Sequence, residues 1–345
     1  MLFRNARIYL FSEGEPPNLS ALEAALSACE FRPCGAMDAE SDGFAEVLPA
    51  PVAPAAIGAA MDSGAAASPV DVPGAMVLDV NDAVLLRHRH QQKILPATAV
   101  NELLDERAVQ FENRTGRRPR ARERRELRDD LRSELLPRAL TRSTMTWLCI
   151  DLKSGWLAVD ASVASRAERV LDSLREALGS LQVVPLAFNE PASGLLTQLL
   201  LGETSPLFTI GDQCRLTDPL HDVTDVRYRN ADLTDANLRA QIRTGFKPTA
   251  AELIWRAQLS LVLDSEPCIQ RLRDLASPED DFDAGALVTD GSSSESTPAG
   301  GSADDPSGNL AGDFAYCHLT LRALLDDLAT ALGGLAVQTS DHAET

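Results

Sequence analysis

Residues 114 to 142 carry eleven arginines against five carboxylates (Glu123, Glu126, Asp129, Asp130 and Glu134), a local charge of +6 in a chain of net charge −19. A run of that kind has to be displayed on a surface element, and its natural partner is a polyanion. The apolar residues within it specify the element, because Leu127, Leu131 and Leu135 recur every four positions and form one stripe of a helix. Residues 98 to 111 predict a second helix, with Val100, Leu103, Leu104, Ala108 and Phe111 near helical spacing. Thr115-Gly116 breaks that helix, and Pro119 suits the first turn of the next. Together they predict a helical hairpin whose tip and second arm are rich in arginine.

The ordinary use of such charge is a solvated helix face, and Glu123, Glu126, Asp129 and Asp130 offer ion-pair partners at helical spacing. Arg114, Arg117, Arg118, Arg120 and Arg122 nevertheless precede the first acid, which predicts a tip with uncompensated charge. Guanidinium forks match phosphate oxygens, so the hairpin becomes a candidate phosphate-contacting surface that extends through Arg124, Arg125 and Arg128. Arg227 and Arg229 flank Tyr228 in an extended stretch, placing both arginines on one strand face as a second, smaller basic feature.

The acidity lies mostly in the flanks. Residues 274–345 sum to −13 and residues 33–86 to −8, whereas 87–273 sum to +3. Aromatic residues make up only 5%, which argues against base-stacking platforms and leaves charge as the grip on any nucleic acid. The six cysteines show no CxxC or zinc spacing and read as free thiols of a reducing compartment. No apolar run reaches the ~18 residues of a membrane span, so a cytosolic protein is expected.

Elsewhere short strands alternate irregularly with helices. Residues 7–11, 84–94, 144–151, 155–161 and 183–185 read as strands, and 18–29, 163–178, 193–201, 234–243 and 314–332 as helices. Gly35 to Gly43 reads as a turn-rich exit, and 247–263 fits helix or strand. The mixture predicts α+β architecture. The expected organisation is an N-terminal α+β part (1–96) with a flexible Ala/Pro/Gly insertion at 45–75, the helical finger (97–142), and a central and base α+β part (143–276). A disordered acidic loop (277–312) and a C-terminal helix with its tail (313–345) follow.

Chemical motifs are sparse. His88 and His90 share a strand face but lack a third ligand nearby, so a polar sheet surface is expected rather than a metal pair. The acidic pairs Asp129-Asp130, Asp280-Asp281, Asp304-Asp305 and Asp326-Asp327 are adjacent in sequence and read as surface charge; a metal-dependent nuclease built on them is the remote alternative. Neither nucleotide-loop nor protease motifs occur, and no enzyme, cofactor or metal is expected.

Several segments resemble the bacterial recombination-associated RdgC family. These are MLFRNARIYLFS at 1–12, FRPCG at 31–35, QQKILP at 91–96, LLPRALTR at 135–142, the hairpin from Trp147 to Asp160, LREALGSLQVVPL at 174–186 and ADLT at 231–234. They keep the family's order and spacing. The resemblance implies central, base and tip subdomains and a ring-forming homodimer. It further implies a nucleoid-associated protein that encircles double-stranded DNA without sequence preference and limits access of the recombinase RecA. The alternative of another class is a regulator that binds the recombinase directly and touches DNA incidentally. Arg117, Arg118, Arg120 and Arg124 fall at basic positions of the family. Leu140 stands where an aromatic ring-closing contact can occur, which makes it the candidate dimer-interface residue and implies a repacked contact. Asn230 and Ala231 stand where a Lys-Gln pair can line the hole, leaving Arg227 and Arg229 to supply charge there.

Overall fold

The computed structural model of the chain describes residues 1–12, 16–48, 75–219, 225–265, 268–276 and 306–336. Its strands are β1 (Ala6–Phe11), β2 (Glu40–Ala45), β3 (Leu78–Val80), β4 (Ala83–Ile94), β5 (Leu140–Asp151) and β6 (Trp156–Val159), then β7 (Val183–Pro185), β8 (Phe208–Thr217), β9 (Asp225–Tyr228), β10 (Lys247–Trp255), β11 (Leu259–Asp264) and β12 (Cys268–Asp274). The seven α-helices among the described residues are α1 (Leu19–Ala28), α2 (Ala97–Thr115), α3 (Ala121–Leu135), α4 (Ala164–Leu178), α5 (Ala192–Leu201), α6 (Ala236–Arg243) and α7 (Pro306–Ala331).

The strands form a single twelve-stranded sheet in the order β2-β4-β5-β6-β1-β12-β11-β10-β8-β9, with β3 beside β4 and β7 beside β1. Every named pairing is antiparallel. Strand alternation divides the interior in two. Ala83 and Leu85 of β4, Ile8 of β1 and Ala158 of β6 enter one core with α5, α6 and α7, while Val84, Leu86, Tyr9 and Leu157 enter the other with α1 and α4. The α+β expectation is therefore met on an antiparallel frame.

The half of the sheet from β12 to β9 is covered differently. Leu253, Leu261, Leu216, Val226 and Tyr228 face the core of α5–α7. No residue of these strands enters the core of α1 and α4, in keeping with an antiparallel sheet that has one wetter side. Polar anchors fasten α7: His318 Nε2 lies 2.9 Å from Asp151 Oδ2, both residues being buried. Trp255 Nε1 and Arg256 Nε donate to Asp327 Oδ2 at 2.7 and 2.8 Å. Asp327, expected as surface charge, is thus a structural acceptor.

Two sequence expectations need correction, at 35–43 and 306–312, and the structure decides the one left open at 247–263. The presumed exit at 35–43 contains the start of β2, and Gly43 sits in that strand because an added Cβ would lie 2.6 Å from Phe31 Cα. Residues 247–263 are the hairpin of β10 and β11, turned by Arg256 and Ala257 at φ 49° and 55° without the glycine or asparagine that usually marks such a turn. Residues 306–312, assigned to the acidic loop from their composition, belong to α7. Residues 49–74 of the insertion, 277–305 of the loop and 337–345 of the tail lie outside the described residues, as do Asp280-Asp281 and Asp304-Asp305. The insertion's ends come together where Leu48 bridges Ala75.

Candidate nucleic-acid interface

β4 and β5 pair along all twelve residues of each, from Ala83 with Asp151 to Ile94 with Leu140, and α2 and α3 are inserted where a short turn would otherwise join them. At 1.5 Å per residue, the nineteen residues of α2 make an arm about 28 Å long. Gly116, at φ 70°, caps α2 in the left-handed conformation, the break expected at Thr115-Gly116. The hairpin has little interior: Val100 and Leu104 of α2 and Leu131 of α3 are its buried residues.

The structure pairs part of the arginine charge. Arg117 forms a bidentate contact with Glu123 at 2.6 and 2.8 Å, and its guanidinium lies 5.5 Å from the Phe111 ring centroid. Glu123 also accepts from the backbone N–H of Arg120 at 2.7 Å, which caps the start of α3. The Arg117 side chain first, and then that N–H, hold the Glu123 carboxyl down at about 2. Arg118 meets Glu112 at 3.5 Å, Arg122 meets Glu126 at 3.0 Å, Arg124 meets Asp105 at 2.5 Å and Arg107 meets Glu134 at 2.7 Å. The tip is accordingly less uncompensated than sequence order suggests, since Asp105 and Glu112 reach across from α2.

Arg114, Arg120, Arg125, Arg128 and Arg132 form no ion pair with any described residue. All but the half-buried Arg128 are exposed. Together with Arg138 at the end of the arm, likewise exposed and outside any ion pair among the described residues, these five carry its unpaired arginine charge. The pairs made by the others are solvent-exposed and weak, so an incoming phosphate can compete for those arginines too.

The second basic feature lies on the uncovered side of the sheet. Because Val226 and Tyr228 pack inward, Arg227 and Arg229 project from the other face, and Arg227 stands directly opposite Arg215 of β8. Like charges facing each other across a ladder are destabilising unless an anion lies between or near them. Asp225 gives Arg227 only a 4.0 Å contact. Arg271 extends the basic face, donating to Gln213 Oε1 at 2.9 Å. Arg215 and Arg271 were not singled out in the sequence; the signal available was their alternation with core residues. Asn230 closes β9 in a left-handed conformation at φ 48°, and Ala231 N–H donates to Asp212 O at 3.1 Å.

Leu140 opens β5 opposite Ile94 and is 78% exposed, so an unpartnered apolar pair marks the foot of the arm. His88 and His90 do share a face, but they are buried under α4 rather than on an open sheet surface. Asp129 and Asp130 are exposed on α3, and no group of three or more His, Cys, Asp or Glu gathers at a metal-binding spacing among the described residues. No helix among the described residues is long and apolar enough to cross a membrane. All six cysteines are free.

Fold and surface together define a class: a mixed α+β protein with a large antiparallel sheet, from which an arginine-bearing helical arm extends. The chain belongs to the RdgC family, whose model, described as "Putative exonuclease, RdgC", matches residues 1–61 and 59–335. Relatives named recombination-associated protein RdgC from Shewanella sp. (strain ANA-3) and Shewanella oneidensis are each 31% identical over 97% of this chain and 98% of their own. One of the same name from Pseudomonas fluorescens (strain Pf0-1) is 29% identical with the same coverage. A recombination-associated protein is the class these matches establish.

Proposed function

We propose that the chain binds duplex DNA without reading its sequence, through arginine-to-phosphate contacts made by the finger and by the open face of β8 and β9. The observation that carries this reading is the set of arginines on the arm without intramolecular ion pairs, Arg114, Arg120, Arg125, Arg128 and Arg132. Phosphate contacts position a protein on the duplex and carry no base information. In this reading two copies close a ring around the duplex, with Leu140 and Ile94 at one contact. The nucleoid-associated ring then limits recombinase access, and no bond is cleaved. Filter binding of unrelated duplexes beside a molar-mass determination tests it: equal affinity and a dimer are expected, whereas strong sequence preference or a strict monomer that binds DNA would contradict it. Recombinase binding without DNA, left intact by finger substitutions, would favour the direct-contact regulator.

The family description favours a second reading, an exonuclease. Incubation of end-labelled duplex with the protein and Mg²⁺ or Mn²⁺ separates the two. Unshortened strands are expected, and metal-dependent loss of nucleotides would establish the nuclease instead.

A further inference from the structure

Beneath the first turns of α4 the β4–β5 ribbon forms the floor of a cleft of about 220 Å³, next to the root of the finger. The floor presents His88 and His90, and the walls include Arg142, Arg166 and Arg169. Helix α4 starts there, and its N-cap is Val163, a side chain with no atom to accept the helix's free N–H groups. A helix N-terminus attracts anions through those groups and the macrodipole.

His90 supplies an independent sign of a ligand. Its Nδ1 is engaged by Asp42 Oδ1 at 2.9 Å, the side chain is only 10% exposed, and Nε2 is buried without a hydrogen-bond partner. His90 lines the cleft, and Nε2 is its ring atom without a protein partner. His88 beside it is already satisfied, 3.0 Å from Ser173 Oγ on α4. An unpartnered buried nitrogen in the lining of a cleft that also carries three guanidinium-bearing side chains calls for a ligand.

We propose that this cleft binds a phosphoryl oxyanion, held by Arg142, Arg166 and Arg169 and the α4 N-terminus, with His90 on the floor. Around the ring stand Asp42 on β2, His88 on its own strand, Thr144 opposite it on β5, and the three arginines. The site is separate from the exposed finger arginines and stands whether or not those bind DNA. A free phosphate and the terminal phosphate of a DNA strand share the required chemistry.

Calorimetric titration of the full chain with inorganic phosphate, at ionic strength balanced with chloride, tests the site. One saturable event per chain is expected. Arg169 is exposed, so Arg169→Gln should fold and melt like the wild type, and losing one charge-assisted hydrogen bond should weaken binding about tenfold or more. Arg118→Gln on the finger should leave it unchanged. The imidazole NMR signal of His90 should move with phosphate, which gives a readout independent of any substitution. Absence of saturable binding, a stationary His90 signal, or equal loss in both variants would overturn the proposal. Duplexes with 5′-phosphate and 5′-hydroxyl ends identify the source: tighter binding of the phosphorylated duplex, abolished by Arg169→Gln, indicates a strand end, and equal binding of the two indicates a free phosphate.

Discussion

The finger and the sheet body use their residues in opposite ways. In the body, β1, β4, β5 and β6 bury side chains on both faces, and polar groups such as His318 and Asp151 are paired and enclosed. In the finger, two helices enclose only Val100, Leu104 and Leu131, and ten of the fifteen residues of α3 are charged. A region with so small an interior depends for its position on the twelve-residue ribbon beneath it. Its surface is thereby free to be chosen for a partner. Substitutions should thus separate, with stability effects from the buried residues of the body and binding effects from the finger and the open face of β8 and β9.

The largest expected effect tests the body. Leu86→Ala, in a fully buried position, should cost about 2–5 kcal/mol of unfolding free energy in a denaturant titration. Leu131→Ala should loosen the finger, seen as faster amide exchange in α2 and α3, while the main transition moves much less. A global loss from Leu131→Ala as large as that from Leu86→Ala would erase the distinction between the regions.

Next in size is a contrast within the finger. Each neutralised phosphate contributes about 0.9 to the log–log salt slope, so replacing Arg114, Arg120, Arg125 and Arg128 by Gln should lower it by as much as about 3.6. Replacing the ion-paired set, Arg117, Arg118, Arg122 and Arg124, should lower it less, because those side chains must first leave a carboxylate. The reverse order would show that the intramolecular pairs pre-position the arginines for DNA.

Acid should act on the body and spare the finger, whose arginines stay charged. Burial pushes His88 down to about 4, against the pull of Asp42, so the unfolded chain takes up a proton below 6.5 that the folded chain refuses. Stability from His88 is therefore present above 6.5 and is lost as pH falls towards 4. Asp160, pushed up to about 6 chiefly by burial, opposes this, since its contribution is present below the ordinary carboxylate range and is lost as pH rises through 6. The fall in melting temperature between pH 7 and pH 5 should shrink in His88→Gln and grow in Asp160→Asn.

The smallest effect is expected at Glu123. Glu123→Gln releases Arg117 and should tighten duplex binding about twofold, the scale of one exposed ion pair. Weaker binding would mean that Glu123's cap on α3 matters more to DNA than the charge it masks.

The finger was legible because its signals are local: a leucine stripe at helical spacing, a glycine break and a count of arginines. Its ion pairing was not, since Asp105 and Glu112 meet Arg124 and Arg118 only once two helices lie side by side. The α+β character followed from irregular alternation of element types, but sequence order gives no hint that β1 lies between β6 and β12. β2 and β12 went unread, the first because Gly43 imitates a turn. The burial of His88 and His90 was equally hidden, because period-two alternation tells which residues share a face and not what covers it.

The salt dependence of duplex affinity, compared between the wild type and the Arg114, Arg120, Arg125 and Arg128 variant, bears on the finger's role without intermediaries. A steep wild-type slope that falls by several units in a variant with an unaltered melting temperature is the expected result. An equal slope in both proteins, or no duplex binding by the wild type in dilute buffer, would contradict the assignment of DNA binding to this arm.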